Sequence, residues 1–364
     1  MEFALSADQK MMQESVNGTL TRICPLDRVK AAANANEAIA RDVWQSLVEL
    51  AIPSLLIPET YGGLSLSLLD AALVSESLGR HAVPVPFIAS CVMAPIALRE
   101  AGSAHQQKTW LPKLATGETL AGVAISERIS GARDGAGIAA SNGKLNGKAL
   151  FVIDFGAADI FIVADRMGGL HLVDAKAPGL EKIALTSIDQ TRSLGELQFT
   201  NVEAEPLDAG DAVKTLTQLR DAGWVMLAAD TLGAGSHMIE KAVEYAKERK
   251  QFDRVIGSFQ AVKHLCAEMA AELEPCRALV WYAAHAYGAI PTESSLTAAH
   301  AKAHLSEVGR FVARTSTEVH GGIGITDLLG LHYWFKRIGL NRQLLGGPER
   351  VRHLAAVMQG FAAE

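Results

Sequence analysis

The chain has 364 residues, and single hydrophobic cores stop growing near roughly 250–300 residues, so two or three domains are expected. Its 49% hydrophobic and 20% charged composition excludes a disordered, collagenous or low-complexity protein. The 34 basic and 40 acidic residues leave a net charge of -6 with neither sign in blocks. No field for a nucleic-acid backbone results, and no nucleic-acid partner is expected.

The longest apolar stretch, Phe87 to Leu98, is broken by Ser90 and Pro95 and falls short of the ~18–20 residues of a bilayer span, so no membrane partner is expected. Met1 to Asp8 carries an early acid, Glu2, and no basic segment ahead of an apolar run, which reads as no signal peptide and a cytoplasmic location. Cys24, Cys91, Cys266 and Cys276 form no C-x-x-C pair. Buried free thiols are expected, with no disulfide frame and no metal site.

From Ser6, a plausible N-cap, to about Gly117 the apolar spacing is helical, as in Val43, Trp44, Leu47, Val48 and Leu50. Breaks fall at Ile52-Pro53 through Gly62-Gly63 and at Pro84-Val85-Pro86. Between Thr119 and about Pro206 the period becomes two. Strands are predicted at 120–126, 144–153, 159–164, 169–173 and 194–199, with tight turns at Asn142-Gly143 and Asn146-Gly147. The helical period then returns near 211–250, 258–287, 293–320 and 347–363, with Pro275 expected to bend the second helix and Thr292 to cap the third. The fold class is therefore α+β: an N-terminal helical domain (1–117), a middle sandwich- or barrel-like β-domain (118–208) and a C-terminal four-helix bundle (209–364).

Hydrolase elbows, H-E-x-x-H, Walker loops and a strand followed by G-x-G-x-x-G are all missing. The run Gly321-Gly322-Ile323-Gly324 follows a helix, so it reads either as a helix stop or as bare backbone that a phosphate or adenine can approach. Arg249 and Lys250 end another long helix. They suit either the negative end of its dipole or a fork that grips a pyrophosphate.

Read together, these motifs resemble the acyl-CoA dehydrogenase family: Phe3-Ala4-Leu5-Ser6, Ile57-Pro58-Glu59-Thr60-Tyr61-Gly62-Gly63, Ala124-Ile125-Ser126-Glu127, Phe199-Thr200-Asn201-Val202, Tyr245-x-x-x-Arg249-Lys250-Gln251-Phe252, Phe259-Gln260-Ala261-Val262-Lys263-His264 and His320-Gly321-Gly322-Ile323-Gly324. They keep the family's order from end to end. The resemblance implies FAD between the middle domain and the C-terminal helices, an acyl-CoA thioester oxidised to the 2-enoyl-CoA, a dimer or tetramer, and an electron-transfer flavoprotein as acceptor. By the same resemblance Ser126 matches the hydroxyl residue at the flavin edge, and Phe151 the aromatic that packs on the flavin. Arg249 and Phe252 match residues that contact a neighbouring subunit's cofactor, and Gly321 and Gly322 match the pair beside the adenosine half.

Several positions depart from the family's pattern. Phe151-Val152-Ile153 lacks the hydroxyl of W-I-T/S, Ser130-Gly131-Ala132-Arg133 stands for A-G-S-D, Glu318 replaces a Gln at the cofactor-binding turn, and Asp253 replaces the glycine of R-x-Q-F-G. Both positions at which the family carries its catalytic base are glycine here, Gly346 in the stretch before the last helix and Gly223 on the first long C-terminal helix. Asp221 and Glu349 are the nearest carboxylates. Asp221 is the candidate base, although a two-residue offset turns a helical side chain by about 200°; Glu349 suits the first turn of the last helix. Two readings follow: an active dehydrogenase with a relocated base, or a catalytically silent subunit lending cofactor contacts to a homologous active partner. An oxygen-reoxidised acyl-CoA or nitroalkane oxidase and a non-enzymatic scaffold are the further alternatives.

Overall fold

The computed structural model describes residues 4–363; Phe3 of the first motif lies outside them. Six helices open the chain: α1 (Ala7–Ile23), α2 (Leu26–Asn34), α3 (Arg41–Glu49), α4 (Leu68–Arg80), α5 (Ala94–Ala101) and α6 (Ala104–Ala115). Ser6 caps α1 reciprocally with Gln9, each side chain accepting from the other's backbone N–H at 3.1 Å. Val43, Trp44 and Leu47 form the buried face of α3. The proline- and glycine-rich break is built from the short 3-10 turns Ile52–Ser54 and Glu59–Tyr61. Half of the apolar stretch from Phe87 to Leu98 is a buried π-helical turn, Ile88–Met93, and the rest runs into α5.

The middle segment is one curled sheet: β1 (Ala121–Ala124), β2 (Gly137–Ser141), β3 (Lys144–Ile153), β4 (Ile160–Ala164), β5 (Leu170–Asp174), β6 (Leu180–Ala184), β7 (Leu194–Glu203) and β8 (Glu205–Pro206). Strand order is β6-β7-β3-β1-β4-β5-β8, with β2 on β3. A short helix, α7 (Ser126–Ser130), links β1 to β2, so the expected strand 120–126 ends early and Ser126 starts a helix. Asn142-Gly143 makes the β2–β3 turn, with φ of 51° and 71°. Asn146-Gly147 is a correction: both residues lie inside β3, where the register against β7 slips between Leu145 and Gly147. The missing side chain there admits the carbonyl of Gly137.

The last third contains α8 (Ala212–Glu248), a hairpin of β9 (Lys250–Gln251) and β10 (Arg254–Val255), α9 (Gln260–Ala289), α10 (Pro291–His320), α11 (His332–Gln343) and α12 (Pro348–Met358). The four expected helices are joined by α11, which the sequence reading lacked. The expected Thr292 cap is also corrected: Pro291 opens α10 at its first position and Ile290 precedes it without a side-chain cap. Helix α9 continues through Pro275.

A large core runs through both helical regions and one face of the sheet, and a smaller one fills the curl of the sheet. At their seam lies a buried ionic network. Asp230 of α8 accepts from Arg337 and Asn341 of α11 and pairs with Arg192 at 2.9 Å; Arg337 also donates to Val83 O and Thr191 Oγ1. Lys302 of α10 donates to Asn341 O. The thiols of Cys24, Cys91 and Cys276 are buried, Cys266 is half-buried and all four are free.

Candidate functional site

A cleft of about 500 Å³ opens between the sheet and the bundle. One wall carries Ser126 and Glu127 of α7, Arg133 and Phe151; the other carries Leu345, Gly346 and Gly347, with Arg350 at the rim. Phe151 reaches the cleft because β3 bulges between Ala149 and Val152. Its backbone turns left-handed (φ 54°) and its ring stands 41% exposed, a strained presentation of the kind that collects at functional sites. Ser126 Oγ donates to Phe151 O at 3.2 Å and steadies the bulge.

A second cavity of about 580 Å³ adjoins the first and shares Ser187, Leu340 and Gln343 with it. Together they form a trough along α11, from Phe151 to Gly324 and Ile325 at the end of α10. An aromatic face, a hydroxyl and a long trough fit an extended dinucleotide such as FAD, and Ser126, Phe151 and the Ser187 loop are the residues that would hold it.

The remaining cofactor candidates stand elsewhere. Arg249 is the exposed C-terminal cap of α8. The hairpin beyond it turns at Phe252 and Asp253, both left-handed (φ 53° and 60°), and leaves the Phe252 ring 87% exposed. Glu318, Gly321 and Gly322 are exposed at the end of α10. Gly321, at φ 62°, terminates the helix as a stop, and a Cβ on either glycine would meet nothing within 4 Å. Stacking of Tyr245 on His320 holds this turn beside the arginine hairpin. These five residues line neither cavity of the trough; they face outward.

The carboxylates sort differently again. Asp221 is buried but lies outside the cleft, receiving Arg220 at 2.8 Å and Ser295 Oγ at 2.5 Å. Burial pushes its carboxyl upward, and Arg220 with Ser295 opposes that. At Gly223 a Cβ would overlap Leu345 Cδ1. Gly346 borders the cleft at φ 102°, where a Cβ would find ordinary contacts, 3.6 Å to Val351 and 3.8 Å to Ser130 Oγ. Glu349 sits at the rim in the first turn of α12, paired with Arg342 at 2.8 Å. Its carboxyl is held low, first by its own backbone N–H and then by Arg342.

Glu127 went unnoticed as a site candidate, although it follows Ser126 directly. Its carboxylate accepts from Leu150 N, and burial raises its pKa. Arg350 also went unnoticed; its Nε donates to Ile129 O at 2.5 Å and bridges α12 to α7 across the mouth of the cleft.

A helical unit, a curled sheet and a helical bundle meet at a trough of dinucleotide size, an α–β–α arrangement suited to a dinucleotide cofactor and distinct from the parallel doubly wound sheet of a Rossmann dehydrogenase. The acyl-CoA dehydrogenase N-terminal domain model matches residues 6–118, the C-terminal domain model matches residues 213–359, and the chain belongs to the acyl-CoA dehydrogenase family of FAD-dependent oxidoreductases. It is 32% identical to acyl-CoA dehydrogenase IpdE2 of Mycobacterium tuberculosis over 94% of this chain and 95% of that protein. Among solved structures it resembles the Tcur3481-Tcur3483 steroid ACAD (TM-score 0.88, 27% identity, 97% of this chain and 98% of that one). It also resembles the ChsE4-ChsE5 complex from Mycobacterium tuberculosis (TM-score 0.89, 25% identity, 100% of each chain). Among the described residues no helix is long and apolar enough to cross a membrane.

Proposed function

We propose that this chain is the base-less subunit of a heteromeric acyl-CoA dehydrogenase, which pairs with a homologous chain and lends it cofactor contacts. The observation that carries this reading is the state of the two base positions: the side-chain space at Gly223 is filled by Leu345, and Gly346 is bare. An α-C–H of a thioester is a weak acid and needs a positioned carboxylate. Asp221 is turned away and engaged, and Glu349 is paired at the rim. Bound FAD would supply the hydride acceptor while the α-proton passes to the active chain's carboxylate, leaving a trans-2-enoyl-CoA.

On this reading Ser126 and Phe151 keep a cofactor wall in the chain's own cleft. Arg249 and Phe252, with Glu318, Gly321 and Gly322 beside them, form the outward surface offered to the partner's FAD. The division at 117/118 and 208/209 places that surface wholly in the C-terminal unit. Two similar structures that are complexes of paired names, one of them a steroid ACAD, support a heteromer and a bulky, ring-bearing acyl group. A cytoplasmic assembly passing electrons to an electron-transfer flavoprotein completes the proposal.

A second reading is favoured by Glu127, a half-buried carboxylate with a raised pKa on the cleft wall. The chain would then dehydrogenate alone. Visible spectra separate the two. Protein purified by itself that carries stoichiometric flavin and bleaches anaerobically with an acyl-CoA would overturn the subunit reading. Protein that retains flavin and activity only when co-expressed with a homologous chain supports it.

A further inference from the structure

Leu345 and Gly346 are adjacent left-handed residues, at φ 56° and 102°. Leucine in that region costs about 1–3 kcal/mol and persists only where the surroundings over-determine it. Here two contacts do so. Trp224 Nε1 donates to Leu345 O at 2.7 Å, and the leucine side chain fills the space left by Gly223. Trp224 and Leu345 are both buried.

The indole is held in turn. The Arg220 guanidinium lies 4.6 Å over its ring. Both Nε and Nη2 of Arg220 donate to Asp221 Oδ1, at 2.9 and 2.8 Å, and Ser295 of α10 donates to Asp221 Oδ2 at 2.5 Å. A relay therefore runs from Ser295 through Asp221, Arg220 and Trp224 to the carbonyl of Leu345. It ends at the cleft wall facing Ser126 and Phe151.

We infer that Asp221 is a positioning residue: through Arg220 and Trp224 it latches the Leu345–Gly346 turn and so shapes the wall against which an acyl-CoA thioester is seated. The ligand half of this inference rests on the proposed function; the latch half does not. Gly223 and Gly346 become parts of one device, the first admitting the leucine side chain and the second continuing the turn that it anchors.

The test uses the flavin-bearing protein, with its co-expressed partner if flavin retention requires one. Amide hydrogen exchange is read at Leu345, Gly346 and Gly347, and octanoyl-CoA affinity is measured by equilibrium binding. Trp224→Phe keeps an aromatic ring but removes the donor, leaving the buried carbonyl of Leu345 unpaired. It should speed exchange at these amides about tenfold and weaken octanoyl-CoA by a similar factor. Asp221→Asn should shift both in the same direction by less, and Asp221→Glu should recover part of the loss.

If Asp221→Asn abolishes anaerobic bleaching while exchange and affinity stay at wild-type values, Asp221 is a base and the latch is refuted. If it lowers the melting temperature and speeds exchange evenly along α8 and α10 without singling out 345–347, its role is merely structural and the inference also fails. Should the wild-type protein bind no octanoyl-CoA, seating of a straight-chain acyl group on this wall is refuted, and exchange at 345–347 in Trp224→Phe alone decides the latch.

Discussion

The imidazole of His320 lies on the ring of Tyr245, centroids 4.8 Å apart and planes inclined by 30°. His320 donates from Nδ1 to Ser316 O at 2.7 Å, which fixes the ring against its own helix. The stack thereby ties the last turn of α8, which leads to Arg249 and Phe252, to the glycine turn that ends α10. If both face one cofactor on a partner chain, they must keep their spacing. Tyr245→Ala removes a contact of about 0.5–1.5 kcal/mol beyond its buried area. Flavin release from the assembled protein should quicken about two- to tenfold, with helix content unchanged by circular dichroism; an unaltered release rate would show that hairpin and turn act independently.

The two glycines at the base positions give opposite expectations. Gly223→Glu must displace Leu345 from a packed site, and overpacking of this kind costs about 1–3 kcal/mol before the buried charge is counted. Gly346→Glu meets only ordinary contacts, so its cost is the left-handed backbone, about 1–3 kcal/mol, and it places a carboxylate on the cleft wall. Gly346→Glu should fold and gain anaerobic flavin bleaching by an acyl-CoA, whereas Gly223→Glu should melt lower and stay silent. Bleaching at wild-type level in Gly346→Glu would show that the cleft lacks more than a base.

Much of the fold is legible in local patterns. Strand β3 matches its expected bounds because it ends in the continuous apolar run Ala149 to Ile153 after the Asn142-Gly143 turn, and α8 to α10 are long enough for their period to speak. Strand β6, Leu-Glu-Lys-Ile-Ala, is an edge strand with little buried surface, so its pattern is weak. Helix α11 escaped because its sequence is cationic and aromatic without a side-chain cap, and Arg337, which looks like a surface charge, is buried on Asp230. The site was legible only in part. Ser126, Phe151 and Gly346 line one cleft, whereas Asp221, read as a candidate base, is held by Arg220 beside it in sequence and by Ser295, 74 positions away, a partner that leaves no local trace.

Two aspartates at the seam of sheet and bundle should give stability opposite pH slopes. Asp230 is held down at about 2; burial works against that, and Arg192 and Arg337 outweigh it. A depressed carboxylate contributes stability that is present above its unfolded value of 3.8 and lost as pH falls toward 2. Asp154 is raised to about 6 by burial. The folded state therefore takes up a proton first, and stability from this group grows as pH falls from 6 to 3.8. Asp154→Asn keeps an acceptor for Ala89 N and should stabilise the protein at pH 8 by about 1–3 kcal/mol, flattening the slope between pH 6 and 4. Asp230→Asn strands two buried guanidiniums and should destabilise it by about 3–5 kcal/mol. Urea melts across this range measure both; parallel slopes in wild type and Asp154→Asn would remove Asp154 from the account.

Arg249 offers the sharpest test of the surface turned outward. It is exposed and forms no ion pair within its own chain among the described residues, so Arg249→Ala should leave the stability of the isolated chain within about 0.5 kcal/mol of wild type. In an assembly where its guanidinium meets a pyrophosphate, the same change removes a charge-assisted contact of about 1.5–3 kcal/mol and weakens flavin about 10- to 100-fold. Arg249→Lys keeps the charge without the planar fork and should fall between the two. Glu318→Gln removes a like charge from the neighbouring turn and should tighten flavin, an effect that shrinks as salt is raised because both groups are exposed. Titrating FAD into the apo-assembly at low and high ionic strength measures all three variants. Equal affinities throughout would mean that the arginine hairpin meets solvent rather than a cofactor, and the subunit reading would then lose its outward-facing half.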